Sequence, residues 1–114
     1  MHELSIVLGI VDIATEQVRK AGAKQVERID LDIGVLSGVE PDALTFAWQA
    51  GVRNTVLENA ERHINFIAGR ARCLDCHTEF DASQLYQACP VCGEYLSEII
   101  RGKELRVKSL TVVR

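Results

Sequence analysis

All four cysteines of this 114-residue chain fall in two short pairs, Cys73-Leu74-Asp75-Cys76 and Cys89-Pro90-Val91-Cys92. A CxxC turn places two sulfurs on one side of a tight loop, and two such turns facing each other make a tetrahedron of thiolates. Zinc accepts that geometry with no electronic preference, and a closed four-sulfur shell leaves no position for water or substrate. The spacing therefore predicts a structural zinc site held by Cys73, Cys76, Cys89 and Cys92. Phe80 is the main large apolar residue between the pairs, so the metal must supply much of the folding free energy of this segment. Without it, residues 73–99 should lose their order.

Other chemistries compete for these cysteines. The run Cys73-Leu74-Asp75-Cys76-His77 also satisfies the CxxCH pattern of c-type haem attachment, but that leaves Cys89 and Cys92 without a use. A thioredoxin-like redox pair needs only one CxxC and a strand-helix context that is missing here. Iron in a rubredoxin-like tetrahedron is the nearest rival, because soft sulfur ligands accept both metals. His77, one residue past a ligand, reads as a solvated or neighbouring residue and not as a fifth ligand.

A second metal-binding pattern sits at the extreme N-terminus, Met1-His2-Glu3. A histidine at position 2 can offer imidazole, its own amide nitrogen and the preceding terminal amine as fused chelate rings, and Glu3 adds a further amide and a carboxylate. Nitrogen donors in one plane suit Ni(II) or Cu(II). Taken alone the pattern is common enough to arise by chance. No P-loop, strand-associated GxGxxG, HExxH or HxE signature accompanies it, so the expectation is that the chain is not an enzyme.

The elements that must position these groups follow from periodicity. Leu4, Val7, Leu8, Val11, Ala14, Val18 and Ala21 recur at three- and four-residue intervals, which predicts an amphipathic helix stopped by Gly22. From Val26 to Ile33 the period changes to two: Ile29, Leu31 and Ile33 line one face of a strand, and Asp30 and Asp32 its solvated face. Gly34 to Glu40 reads as a loop. Pro41 and Asp42 then open a second helix whose buried stripe is Leu44, Ala47 and Trp48, with Val52 a candidate fourth member. A second strand over 62–68 should turn Ile64 and Phe66 inward, with His63 solvated. A last strand over 105–113 changes apolar phase between Leu105/Val107 and Leu110/Val112, as a bulged strand or one serving two lobes would. The expected fold is α+β: two helices packed on a small three-stranded mixed sheet, with an inserted four-cysteine zinc ribbon. Residues 1–70 plus 104–114 should form the body and 71–103 the ribbon lobe.

Composition narrows the partners. Net charge is −3 and nearly half the residues are hydrophobic, so a core is affordable and no nucleic acid is expected as partner. The apolar run 4–14 starts with His2 and Glu3 and carries Asp12, which suits neither a signal peptide nor a membrane span, and no membrane association is expected. Cysteines in metal-ligand spacing point to a reducing cytoplasmic setting. A homodimer is compatible with the chain.

Together, Met1-His2-Glu3-Leu4-Ser5 opening a helix, Ile33-Gly34-Val35-Leu36-Ser37-Gly38-Val39-Glu40 after a strand, and the double CxxC before a terminal strand resemble the HypA/HybF family of hydrogenase maturation nickel chaperones. The resemblance covers essentially the whole chain. It implies a metallochaperone that binds Ni(II) through Met1, His2 and Glu3 and keeps structural zinc on Cys73, Cys76, Cys89 and Cys92. It further implies delivery to the large subunit of [NiFe]-hydrogenase with the HypB GTPase as partner. Glu40 matches an acidic position of the family's loop motif and is a candidate partner contact. The competing reading is a zinc-ribbon adaptor for protein or nucleic acid in which His2 is incidental.

Overall fold

The computed structural model describes residues 2–114. Elements follow in the order α1 (His2–Ala21), β1 (Gln25–Gly34), α2 (Pro41–Gly51), β2 (Glu61–Ile67), β3 (Arg70–Cys73), β4 (Glu79–Asp81), β5 (Ser97–Arg101) and β6 (Leu105–Val113). Two three-stranded sheets result, with strand orders β2-β1-β6 and β4-β3-β5. The expected class is the one found: two helices, a small mixed three-stranded sheet and a lobe built on four clustered cysteines. None of the described helices is long and apolar enough to cross a membrane.

The chain divides into two compact units. One comprises the segment up to Leu31 with Val39–Ile64 and Val107–Arg114; the other comprises Asp32–Gly38 and Asn65–Arg106.

In the first unit, α1 buries Val7, Ile10, Val11, Ala14 and Val18, and α2 buries Leu44, Ala47 and Trp48. Trp48 is thus core, as its helical spacing requires. The stripe of α1 is rotated from the one expected: Leu8 is half exposed and Ile10 takes its place inside. The helix closes as predicted at Gly22. Gly22 N–H donates to the Arg19 carbonyl and Ala23 N–H to that of Val18, the paired bonds of a Schellman motif. Glu40 is the N-cap of α2: its carboxylate accepts the N–H groups of Asp42 (3.2 Å) and Ala43 (2.6 Å), with Pro41 in the first turn where its missing N–H costs nothing.

Three strand expectations need correction. Asp32 does not face solvent; it is 2% exposed, and its carboxylate accepts Arg106 Nε at 2.8 Å and Asn65 Nδ2 at 3.1 Å. Alternation alone cannot separate a solvated acid from one whose partners arrive from distant strands. Phe66 is exposed instead of inward, and Leu105 is exposed while Val107, Leu110 and Val112 are half-buried. The phase change on the last strand thus falls between Val107 and Leu110. His63 is half-buried, with Nε2 3.1 Å from Glu61 Oε1.

In the second unit, β3 pairs antiparallel with β4 (Ala71 opposite Phe80) and with β5 (Ala71 opposite Ile99). Its small core consists of Leu36, Ala71, Cys73, Phe80, Ala82 and Cys89, with Ile99 against it. Leu36 comes from the segment that the sequence presents only as a loop. Space for it depends on a residue without a side chain: a Cβ at Gly69 would stand 2.0 Å from the Ala82 carbonyl oxygen and 2.8 Å from Leu36 Cδ1.

Candidate metal centre

The two CxxC turns are built alike. In the first, at the end of β3, His77 N–H donates to the Cys73 carbonyl at 3.0 Å and Cys73 N–H to that of Thr78 at 2.9 Å. In the second, Gly93 N–H donates to the Cys89 carbonyl at 2.9 Å and Cys89 N–H to that of Glu94 at 2.8 Å. Each turn is closed by a residue in the left-handed region directly after its second cysteine: His77 at φ 67° and Gly93 at φ 80°. Glycine adopts that backbone freely and an L side chain pays for it. His77 therefore occupies a backbone position of the turn, which accounts for its place next to a ligand without making it one.

The four sulfurs come together. Cys73 Sγ lies 3.5 Å from Cys92 Sγ, and Cys76 Sγ lies 3.7 Å from Cys89 Sγ. All four atoms fall within 4.8 Å of one another. Four sulfurs on a central ion at bond lengths of about 2.3 Å stand about 3.8 Å apart along each edge of the tetrahedron. The cage thus fits a tetrahedral thiolate-bound ion, and its cross-turn edges are far longer than a disulfide bond of about 2.0 Å. Cys73 and Cys89 are buried, whereas Cys76 and Cys92 are exposed.

Thiol acidity differs across the cage. Hydrogen bonds from the Thr78 hydroxyl, 3.2 Å from Cys76 Sγ, and from the Thr78 backbone lower Cys76 to about 6. At Cys92 the Glu94 backbone N–H favours the thiolate, but hydrogen bonding with Cys73, burial and the other two thiols outweigh it and push the group up to about 12. Four thiolates so close together require a cation to carry their charge.

The N-terminal pattern begins at Met1, which lies outside the described residues. His2 and Glu3 form the start of α1, where the first N–H groups of a helix have no intrahelical acceptor. The His2 side chain is 58% exposed and its Nε2 is 3.4 Å from Glu3 Oε2. Glu3 is buried, and its Oε2 accepts the backbone N–H of Glu40 at 3.3 Å. That N–H is the main reason the Glu3 carboxyl is held below its ordinary value, with Glu3's own backbone N–H next; burial opposes them, and His2 adds a smaller lowering. Glu3 and Glu40 thus form a chain of caps: Glu3 takes the N–H of Glu40, and Glu40 takes the first free N–H groups of α2. Sequence reasoning placed both residues in a functional motif but missed this link, although an acid next to a helix-opening proline is a capping signal that could have exposed half of it.

Residues 1–112 match the sequence profile of the HypA family, described as hydrogenase/urease nickel incorporation, metallochaperone. The chain is 46% identical to the hydrogenase maturation factor HypA of Parabacteroides distasonis over 112 residues, covering 98% of this chain and 97% of that one. It is 44% identical to the factor of the same name from Geotalea daltonii over 113 residues, covering 99% of this chain and all of that one. Its fold resembles the solution structure of the Ni metallochaperone HypA from Helicobacter pylori, with a TM-score of 0.71 at 27% identity over 99% of this chain and 98% of that one.

Proposed function

Since the chain belongs to the HypA family of hydrogenase/urease nickel-incorporation metallochaperones, we propose that it carries Ni(II) on its N-terminus and hands it to the large subunit of a [NiFe]-hydrogenase, with the HypB GTPase as partner. The nickel ligands are the Met1 amine, the His2 imidazole and amide, and the Glu3 amide. The body of residues 1–70 and 104–114 carries nickel, and the ribbon lobe of 71–103 carries Zn(II) on Cys73, Cys76, Cys89 and Cys92 as a structural ion. The protein works in the cytoplasm and catalyses no reaction of its own.

One observation carries the choice of nickel ligands. The Glu3 carboxylate accepts the Glu40 N–H, so we assign Glu3 to the metal through its backbone nitrogen, which gives up its proton on binding. The His2 imidazole stands exposed beside it. Both amine and imidazole must lose protons to bind, so nickel affinity falls as pH drops. A site at an exposed chain end can release its ion to a recipient; the closed sulfur cage cannot do so without taking its lobe apart. Copper binds such a nitrogen set at least as tightly as nickel under the Irving–Williams order, so selection rests on metal supply and partners.

The test is a nickel titration of the untagged, zinc-loaded protein beside His2→Ala and beside a form extended before Met1. About one nickel per chain should bind to the first and to neither of the others, with zinc content and far-UV circular dichroism unchanged in all three. Equal binding by the three forms would remove the N-terminal site.

A further inference from the structure

The first unit holds a polar recess that neither metal site uses. It has a volume of about 460 Å³, is open to solvent, and is lined by Thr45, Trp48, Gln49, Arg53, Glu58 and Arg62 among others. Arg62 stands with its guanidinium carbon 5.3 Å from the centroid of the Trp48 ring, and its Nη2 donates to Thr45 Oγ1 at 3.3 Å. The ring and the hydroxyl hold the planar fork in place but leave most of its five donors unused.

Most arginines of the described residues face a carboxylate: Arg19, Arg28, Arg70, Arg72 and Arg106 are all ion-paired. Arg62 and Arg53, both on this recess, make no ion pair there. Burial alone moves Arg62, lowering it from its ordinary value with no acid near enough to oppose the shift. The one carboxylate among the lining residues, Glu58, is ion-paired with neither arginine; its Oε2 accepts the N–H of Asn54 at 3.0 Å. A cation that is partly desolvated, oriented and without a counter-ion lacks one component.

We propose that this recess is an oxyanion site in which the Arg62 fork, aided by Arg53, binds a single carboxylate or phosphate group. Arginine matches both groups through two parallel N–H···O bonds, which makes this fork a receptor for either. The Thr45 hydroxyl and the Gln49 amide are the neutral donors available to the remaining oxygens. The anion arrives either free, as phosphate, or as an acidic side chain of a protein docking on the unit that carries the nickel terminus.

Trp48 is the only tryptophan, so its fluorescence reads the recess directly. The zinc-loaded full chain is titrated with inorganic phosphate and, separately, with a short amidated peptide carrying glutamates, at constant ionic strength with chloride as the control salt. At least one probe should give a saturable change that chloride does not. Saturation by phosphate alone identifies a free anion, and tighter saturation by the peptide identifies a protein side chain. Arg62→Gln should weaken the response about tenfold, Arg62→Lys should recover only part of it, and Arg53→Gln should weaken it less. The proposal is overturned if neither probe saturates, if chloride gives the same change, or if the midpoint is unmoved in both Arg62→Gln and Arg53→Gln. Should Arg62→Gln lose its native circular dichroism, Arg53→Gln carries the comparison by itself.

Discussion

The matched geometry of the two CxxC turns makes His77 and Gly93 a pair of opposite experiments. Both residues sit in the left-handed region, at φ 67° and φ 80°. A side chain there costs about 1–2 kcal/mol, whereas glycine loses about 0.5–1 kcal/mol more chain entropy on folding than alanine does. His77→Gly should therefore stabilise the lobe by about 0.5–1 kcal/mol, and Gly93→Ala should cost about 0.5–1 kcal/mol by the same arithmetic run backwards. Added atoms cause no clash at Gly93, because nothing lies within 4 Å of the Cβ position. If the metal-free lobe is unfolded, folding and metal binding share one free energy. Zinc affinity should then rise about two- to fivefold in His77→Gly and fall about two- to fivefold in Gly93→Ala, by the rule of about 1.4 kcal/mol per tenfold. Competition with a chromophoric chelator at neutral pH measures both. His77→Ala serves as the control, since it removes the imidazole and keeps the backbone strain; it should bind no tighter than wild type. Weaker zinc binding in His77→Gly would refute the reasoning, because it would mean that the imidazole itself supports the metal and the turn is not what positions it.

Three further outcomes follow from contacts elsewhere. The Glu3 carboxyl is held below its ordinary value of 4.5, chiefly by the Glu40 N–H. A folded value below the unfolded one stabilises fully above pH 4.5 and is lost as pH falls through the lower folded value. Thermal melts of Glu3→Gln should accordingly lose part of the acid-side slope seen in wild type, and parallel slopes would count against the cap. Asp32→Asn removes the charge that receives Arg106 Nε and Asn65 Nδ2, and urea unfolding should show a loss of about 1.5–3 kcal/mol; a change within 0.5 kcal/mol, the range typical of surface substitutions, would place the pair among ordinary surface contacts. Gly69→Ala drives a methyl group into the Ala82 carbonyl and should cost about 3 kcal/mol, read as early loss of zinc on heating while the helical signal of α1 and α2 persists.

Much of the molecule was legible in the residues because local rules governed it. The 3.6-residue stripe, the Gly22 stop and the Pro41 start delimited both helices, and the CxxC spacing selected the four sulfurs that the fold gathers within 4.8 Å. What stayed hidden depended on partners remote in sequence. Asp32 alternates like a surface acid, and its partners Arg106 and Asn65, over seventy and over thirty residues away, mark it as a buried one. Leu36 looks like a loop residue until Gly69 and Ala82 provide the space that it fills. Phe66 obeys strand alternation and still faces solvent, because alternation assigns residues to faces without saying which face is covered.

The same distinction bears on how the proposed N-terminal nickel site would be held. A terminal nickel ligand set must be loose enough to exchange its ion, yet its nitrogens must come from consecutive residues in a fixed order. Those demands conflict unless something just beyond the ligands is anchored. Under the proposed nickel assignment Glu3 meets both: its side chain is held on the Glu40 N–H at the cap of α2, so the residue that would close the ligand run is fastened to a second helix. His2 stays more than half exposed one residue earlier. Glu3→Gln and Glu40→Pro, the second of which removes the N–H that the Glu3 carboxylate holds, should then act alike: each loosens the anchor, weakens nickel binding and leaves the ligand nitrogens chemically intact. A loss of nickel affinity in Glu3→Gln with none in Glu40→Pro would instead assign the Glu3 carboxylate to the metal.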